Sequence, residues 1–169
     1  MTAGSRRLEV RTVMQDDPLA APLLEELAYE YSTRYERPFE EQFEALTTHP
    51  GEEFAPPDGA LLILVEDGEP VAGGAFRRYD ETTAELKRIW TSAGHRRRGL
   101  GRIVLAELEV EAMMRGYTRI YLTTGWRQPE AVALYLAADY TALFDPTRPS
   151  EEIGPHPFEK HLIRKAHSA

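Results

Sequence analysis

The chain has 169 residues, a formal net charge of −8, 42 % hydrophobic and 28 % charged residues, and no cysteine. That length and mix fit one globular domain, residues 1–169, with enough apolar side chains for a core. The missing cysteines exclude disulfides, thiolate metal sites and a cysteine nucleophile and suit a reducing cytoplasm, while the overall charge works against binding nucleic acid or anionic membrane.

Met1 to Val10 carries two arginines without an apolar run, unlike a secretory signal. Leu8 to Val13 alternates apolar and polar residues and predicts a first strand. Asp17-Pro18 has the chemistry of a helix start, and the helix is expected to run to about Arg34. A second helix is expected between Phe39 and Thr48, followed by a loop punctuated by Pro50-Gly51 and Pro56-Pro57. Leu61 to Glu66 and Val71 to Tyr79 flank Asp67-Gly68, a hairpin signal; Gly73-Gly74 in the return strand marks a bulge or a close backbone approach. Thr83 to Trp90 predicts another strand. Leu100, Val104, Leu108 and Ala112 then give a helix one apolar face, ended by Gly116. Arg119 to Thr124 reads as a strand, Pro129 to Ala137 as a helix, and Thr141 to Phe144 and Phe158 to Ile163 as the last strands. His49, His95, His156, His161 and His167 show no paired spacing for a metal, so none is expected.

Charge is unevenly placed. Lys87, Arg88, Arg96, Arg97, Arg98 and Arg102 form a run with no acid among them, which leaves −14 for the rest of the chain. Arg96-Arg97-Arg98-Gly99-Leu100-Gly101-Arg102 sits between a strand and a helix. Glycines there let a ligand approach the backbone, and the free N–H groups and dipole of the helix start favour phosphate. The plain alternative is a solvated basic loop. The dinucleotide fingerprint fails at Val104, and no Gly-Lys-Ser/Thr follows.

Arg96, Gly99 and Gly101 fit the Arg/Gln-x-x-Gly-x-Gly/Ala loop of the GNAT superfamily of acetyl-CoA-dependent N-acetyltransferases. The flanks strengthen the resemblance. Ala84-Glu85-Leu86-Lys87-Arg88-Ile89-Trp90 is similar to the strand before that loop, and Thr124-Gly125 through Gln128-Pro129-Glu130-Ala131 to Leu134-Tyr135 is similar to the fourth-helix motif. The likeness spans Phe54 to Phe144. It implies an α/β fold of mixed order, the GNAT fold: a central, mostly antiparallel sheet of about seven strands with splayed fourth and fifth strands, flanked by four helices. It implies acetyl-CoA as cosubstrate, with its pyrophosphate on the backbone of Arg97, Arg98, Gly99, Leu100, Gly101 and Arg102. Its pantetheine arm would pair near Trp90 and Thr91, with Gln128 close by in place of a usual asparagine. Asp139-Tyr140 also departs from a usual Gly-Phe, and Thr91 from a common valine. A homodimer is among the family's habits.

The resemblance makes Glu85 the candidate base and Tyr135 the candidate acid for the departing thiolate. For Glu85 the alternative is a strand-face glutamate paired with an arginine such as Arg88; for Tyr135 it is a core tyrosine. The acceptor is expected to be a primary amine of a small molecule or peptide. Seven glutamates between Glu25 and Glu44, and Tyr29, Tyr31 and Tyr35, either wall its pocket or form a wet helix face and packing. Two other functions compete: a non-catalytic acyl-CoA sensor, and a nucleic-acid binder built on Arg96–Arg98, against which the net charge stands.

Overall fold

The computed structural model describes residues 7–162; Ile163, the far end of the last predicted strand, lies outside them, as does most of the Met1–Val10 segment. In chain order the elements are β1 (Leu8–Thr12), α1 (Ala21–Arg34), α2 (Phe39–Thr48), β2 (Ala60–Glu66), β3 (Glu69–Arg78), β4 (Thr83–Thr91), α3 (Leu100–Met114), β5 (Arg119–Thr124), α4 (Pro129–Ala137), β6 (Thr141–Ala142), α5 (Ser150–Ile153) and β7 (His156–His161). All seven strands form one sheet in the order β1-β2-β3-β4-β5-β7-β6. Every neighbouring pair is antiparallel except β4–β5. This is the predicted mixed α/β architecture. The difference is α5, a fifth, four-residue helix too short to leave a periodic signal.

Local chemistry sets the boundaries. Asp17 caps a 3-10 turn over Pro18–Ala20 by accepting the Leu19 N–H at 2.9 Å, and α1 grows out of that turn. Asp67 and Gly68 both take positive φ, 50° and 85°, as a two-residue hairpin between β2 and β3 demands. Gly116, at φ 93°, ends α3, with Tyr117 N–H returning to the Ala112 carbonyl at 3.1 Å. Asp139 adopts φ 69° after α4, so aspartate does support the left-handed turn where glycine is usual.

The sheet is covered on both faces. Leu100, Val104, Leu105, Leu108 and Ala112 of α3 and Tyr135 of α4 pack with Leu62, Leu64, Phe76, Leu86, Leu122 and Phe158. On the other face Leu23, Leu24 and Leu27 of α1 pack with Leu61, Ile63, Val65 and Trp90. β2, buried on both faces, therefore reads as a continuous apolar run. Among the described residues no helix is long and apolar enough to cross a membrane.

Several phenols are held above their ordinary value, among them Tyr31, raised to about 12 by loss of solvent and then by the neighbouring charge of Glu30. Tyr135 and Tyr140 are raised first by the same loss of solvent. An unfolded tyrosine gives up its proton near pH 10, while these folded ones keep it. Above that pH the folded state binds more protons than the unfolded one, so stability falls as pH rises. The melting temperature should therefore be insensitive to these groups below about pH 9 and drop above about pH 10. Part of the tyrosinate absorbance should appear only with unfolding; full titration of a still-folded protein near pH 10 would contradict this.

Candidate active site

β4 and β5 pair only over Thr83–Glu85 and Arg119–Tyr121. Beyond that point β4 bonds β3 and β5 bonds β7, so the edges they turn toward each other carry no ladder. The strands part as the resemblance implies. The gap opens into a cavity of about 1270 Å³ that runs between α1 and α2 on one side and α3 and α4 on the other.

One wall is the turn from β4 into α3. Arg97 and Gly99 take left-handed conformations, φ 64° and 74°, and curl the backbone of the turn. The first intrahelical bond of α3 runs from Ile103 N–H to the Gly99 carbonyl at 3.3 Å, and no side chain caps the helix. The N–H groups of Leu100, Gly101 and Arg102 precede it and are free for an anion. Arg96, Arg97 and Arg102 line the cavity beside them. These donors and charges fit a diphosphate.

Arg98 does not line the cavity. Its guanidinium grips the carboxylate of Glu66, at the end of β2, with one arm of the fork at 3.2 Å. The pair holds the turn to the sheet, and Arg98 offers the site its backbone. Trp90 is likewise turned away: its indole lies in the α1-side core, with Nε1 buried and unpartnered among the described residues. Thr91 and Gln128 do line the cavity. The Gln128 side-chain oxygen accepts the Gly125 N–H at 3.2 Å and shapes the β5–α4 turn.

The two candidate catalytic residues are not brought together. Tyr135 lines the cavity from α4, its ring packed 5.5 Å from Phe158 and 5.7 Å from Tyr140. Burial keeps its phenol protonated. Glu85 is outside the lining, at the paired foot of β4. It accepts from Arg77 Nε at 3.0 Å and lies 3.7 Å from the Lys87 ammonium, so its arginine partner is Arg77 and not Arg88. Of the α1–α2 glutamates, Glu30 and Glu41 reach the cavity, as do Tyr31 and Tyr35.

The sequence left Arg34 without a role. It pairs with Glu30 at 3.1 Å and with Glu130 of α4, and Arg34 and Arg127 each donate to the other's carbonyl, at 3.0 and 2.8 Å. This clamp ties α1 to α4 across the mouth of the gap. Its long sequence separation hid it. Arg88, which the sequence offers as part of the basic run and as a partner for Glu85, is instead a buried cation on the cavity. Among the described residues no group of three or more histidines and acids could hold a metal.

The family model for the Acetyltransferase (GNAT) family matches residues 22–140. The chain belongs to that family. YsnE of Bacillus subtilis (strain 168), an uncharacterized N-acetyltransferase, is 42 % identical over 60 residues, which are 35 % of this chain and 40 % of YsnE. The chain thus matches well under half of that relative's length. A Klebsiella pneumoniae protein described as an acyl-CoA N-acyltransferase has the same fold at TM-score 0.69 and 26 % identity, over 92 % of this chain and 98 % of that one. YncA of Salmonella typhimurium, solved with acetyl-CoA, aligns at TM-score 0.62 and 13 % identity over 96 % and 98 %.

Gly99→Ala should strain the turn, because φ 74° disfavours any Cβ by about 1–2 kcal/mol. Acetyl-CoA affinity, read by calorimetry, should fall. Gly94→Ala, where a Cβ meets nothing within 4 Å, should leave affinity and melting temperature as they are. Equal behaviour of the two variants would contradict the geometry of the turn.

Proposed function

We propose that this protein transfers an acetyl group from acetyl-CoA to a primary amine of a small molecule or peptide, by direct attack within a ternary complex. The observation that carries the reading is the gap between β4 and β5, walled at one end by an uncapped, arginine-flanked helix start and on one side by Tyr135. Bound in the gap, the cosubstrate supplies an activated acyl thioester. The N–H groups of Leu100, Gly101 and Arg102 bind its diphosphate, and the free β4 edge up to Thr91 pairs with its amide-bearing arm. A backbone N–H near Thr91 is the donor for the developing oxyanion.

Tyr135 hydrogen-bonds the departing sulfur. Its raised pKa keeps the phenol loaded at neutral pH, but also makes it a reluctant acid toward a thiolate with an ordinary pKa near 8.5. Its contribution is therefore a hydrogen bond to the developing charge, and the thiolate takes its proton from cavity water as it leaves. Glu85 serves as an anchor for Arg77 and Lys87 rather than as the base; its ion pairs and its place off the cavity support this. The acceptor then reacts as the neutral amine, and its proton leaves through cavity water.

Tyr135→Phe should lower kcat by about 100-fold with the acetyl-CoA Kd unchanged. Full activity in that variant would refute the role. Glu85→Gln should leave the rise of kcat/KM with pH in place, its midpoint following the pKa of whichever amine is supplied; a flattened profile would restore Glu85 as base. The off-cavity position of Glu85 also favours a second reading, an acyl-CoA sensor without turnover. Acetyl-CoA at a hundred times its Kd should stabilise the fold by about 2.7 kcal/mol under either reading, and thiol release with an amine panel separates them.

A further inference from the structure

β4 breaks its own alternation next to the cavity. Lys87 stands opposite Ala75 and Trp90 opposite Gly73, so Arg88 and Ile89 together face Gly74. Arg88 takes φ 60° to do so. Ile89 then packs toward α3, where a Cβ on Gly74 would lie 2.6 Å from its Cδ1. Arg88 turns to the opposite face, beneath α1 and α2.

There the guanidinium is buried, with the residue only 8 % exposed. It donates to the Gln15 side-chain oxygen and to the Leu46 carbonyl at 2.7 Å, and lies 4.7 Å from the centre of the Phe54 ring. All of these partners are neutral. Among the described residues no carboxylate stands within ion-pair distance of it. Glu53, a carboxylate whose charge favours that of Arg88 without pairing with it, is already held below the usual carboxylate range by Arg77 and His49. Loss of solvent lowers the Arg88 pKa to about 10, which leaves it charged at neutral pH. A buried charge without a counter-charge is expensive unless a ligand supplies one. Arg88 lines the cavity together with Tyr31 and Lys87, and Lys87 already has Glu85.

We propose that Arg88 anchors a carboxylate on the acceptor, so that the substrate is an amine bearing its own carboxylate. The inference rests on the acetyltransferase reading of the same cavity and names its acceptor class. One buried guanidinium is balanced by a monoanion, and its planar fork, with two of five N–H groups already used, matches a carboxylate. The acyl donor's phosphates belong to the α3 side and the acceptor's carboxylate to the α1–α2 side, with the amine held between them.

The test is thiol release from acetyl-CoA with α-amino acids, their amides and their decarboxylated amines, and with peptides carrying Asp or Glu against the same peptides carrying Asn or Gln. The carboxylated form should win by about tenfold or more in kcat/KM with the unmodified protein. Preference among free amino acids places the carboxylate on the α-carbon, and preference among peptides places it on a side chain. Arg88→Lys and Arg88→Met should bring the acid-over-amide ratio of kcat/KM down toward one; a ratio kept in both variants overturns the proposal. Equal use of acid and amide, or acetyl-CoA binding without acetylation of any carboxylated amine, overturns the proposal. Failure to bind acetyl-CoA overturns the reading beneath it, and the proposal with it.

Discussion

The structure turns on the parting of one parallel strand pair. β4 and β5 share a ladder over three residues each and then diverge, with α3 as the crossover between them. Parallel neighbours require such a crossover, and its helix α3 begins at Leu100, past the end of β4 at Thr91. The parting and the helix start thus belong to one connection. It leaves two strand edges with unmet backbone groups and, beside them, a helix start with unmet N–H groups. A long ligand with amides at one end and phosphates at the other satisfies both at once.

Around that gap the protein divides its cations among four tasks. Arg96, Arg97 and Arg102 face the cavity beside the helix start. Arg98 leaves the ligand side to pair with buried Glu66, and so fixes the turn to β2. Arg88 crosses to the other face of the sheet through a bulge and meets only neutral acceptors. Arg34, far off in sequence, closes the mouth by bridging Glu30 and Glu130. The cavity lining holds seven lysines and arginines against three glutamates, so the local field at the gap is opposite in sign to the protein's net charge.

The fold was legible because local signals agree with it. Alternation marked β1, turn chemistry marked the β2–β3 hairpin, and a four-residue apolar repeat marked α3. The anion turn was legible for the same reason: its glycine and its helix start are adjacent in sequence. What escaped is set by pairs distant in the chain. Nothing local to Glu85 reveals that Arg77 holds it, nor does Arg34 announce Glu130. The bulge at Arg88 was half visible, through Gly74 on the partner strand. The direction of the arginine depends on register, which a single strand does not carry.

The most direct test of the gap as an acetyl-CoA site is residue-resolved amide NMR during titration with acetyl-CoA. The account predicts saturable shifts confined to the amides of residues 97–102 and the free edge of β4 near Thr91, with β1 and the β2–β3 hairpin unmoved. Saturable binding that shifts other amides and spares these would contradict it.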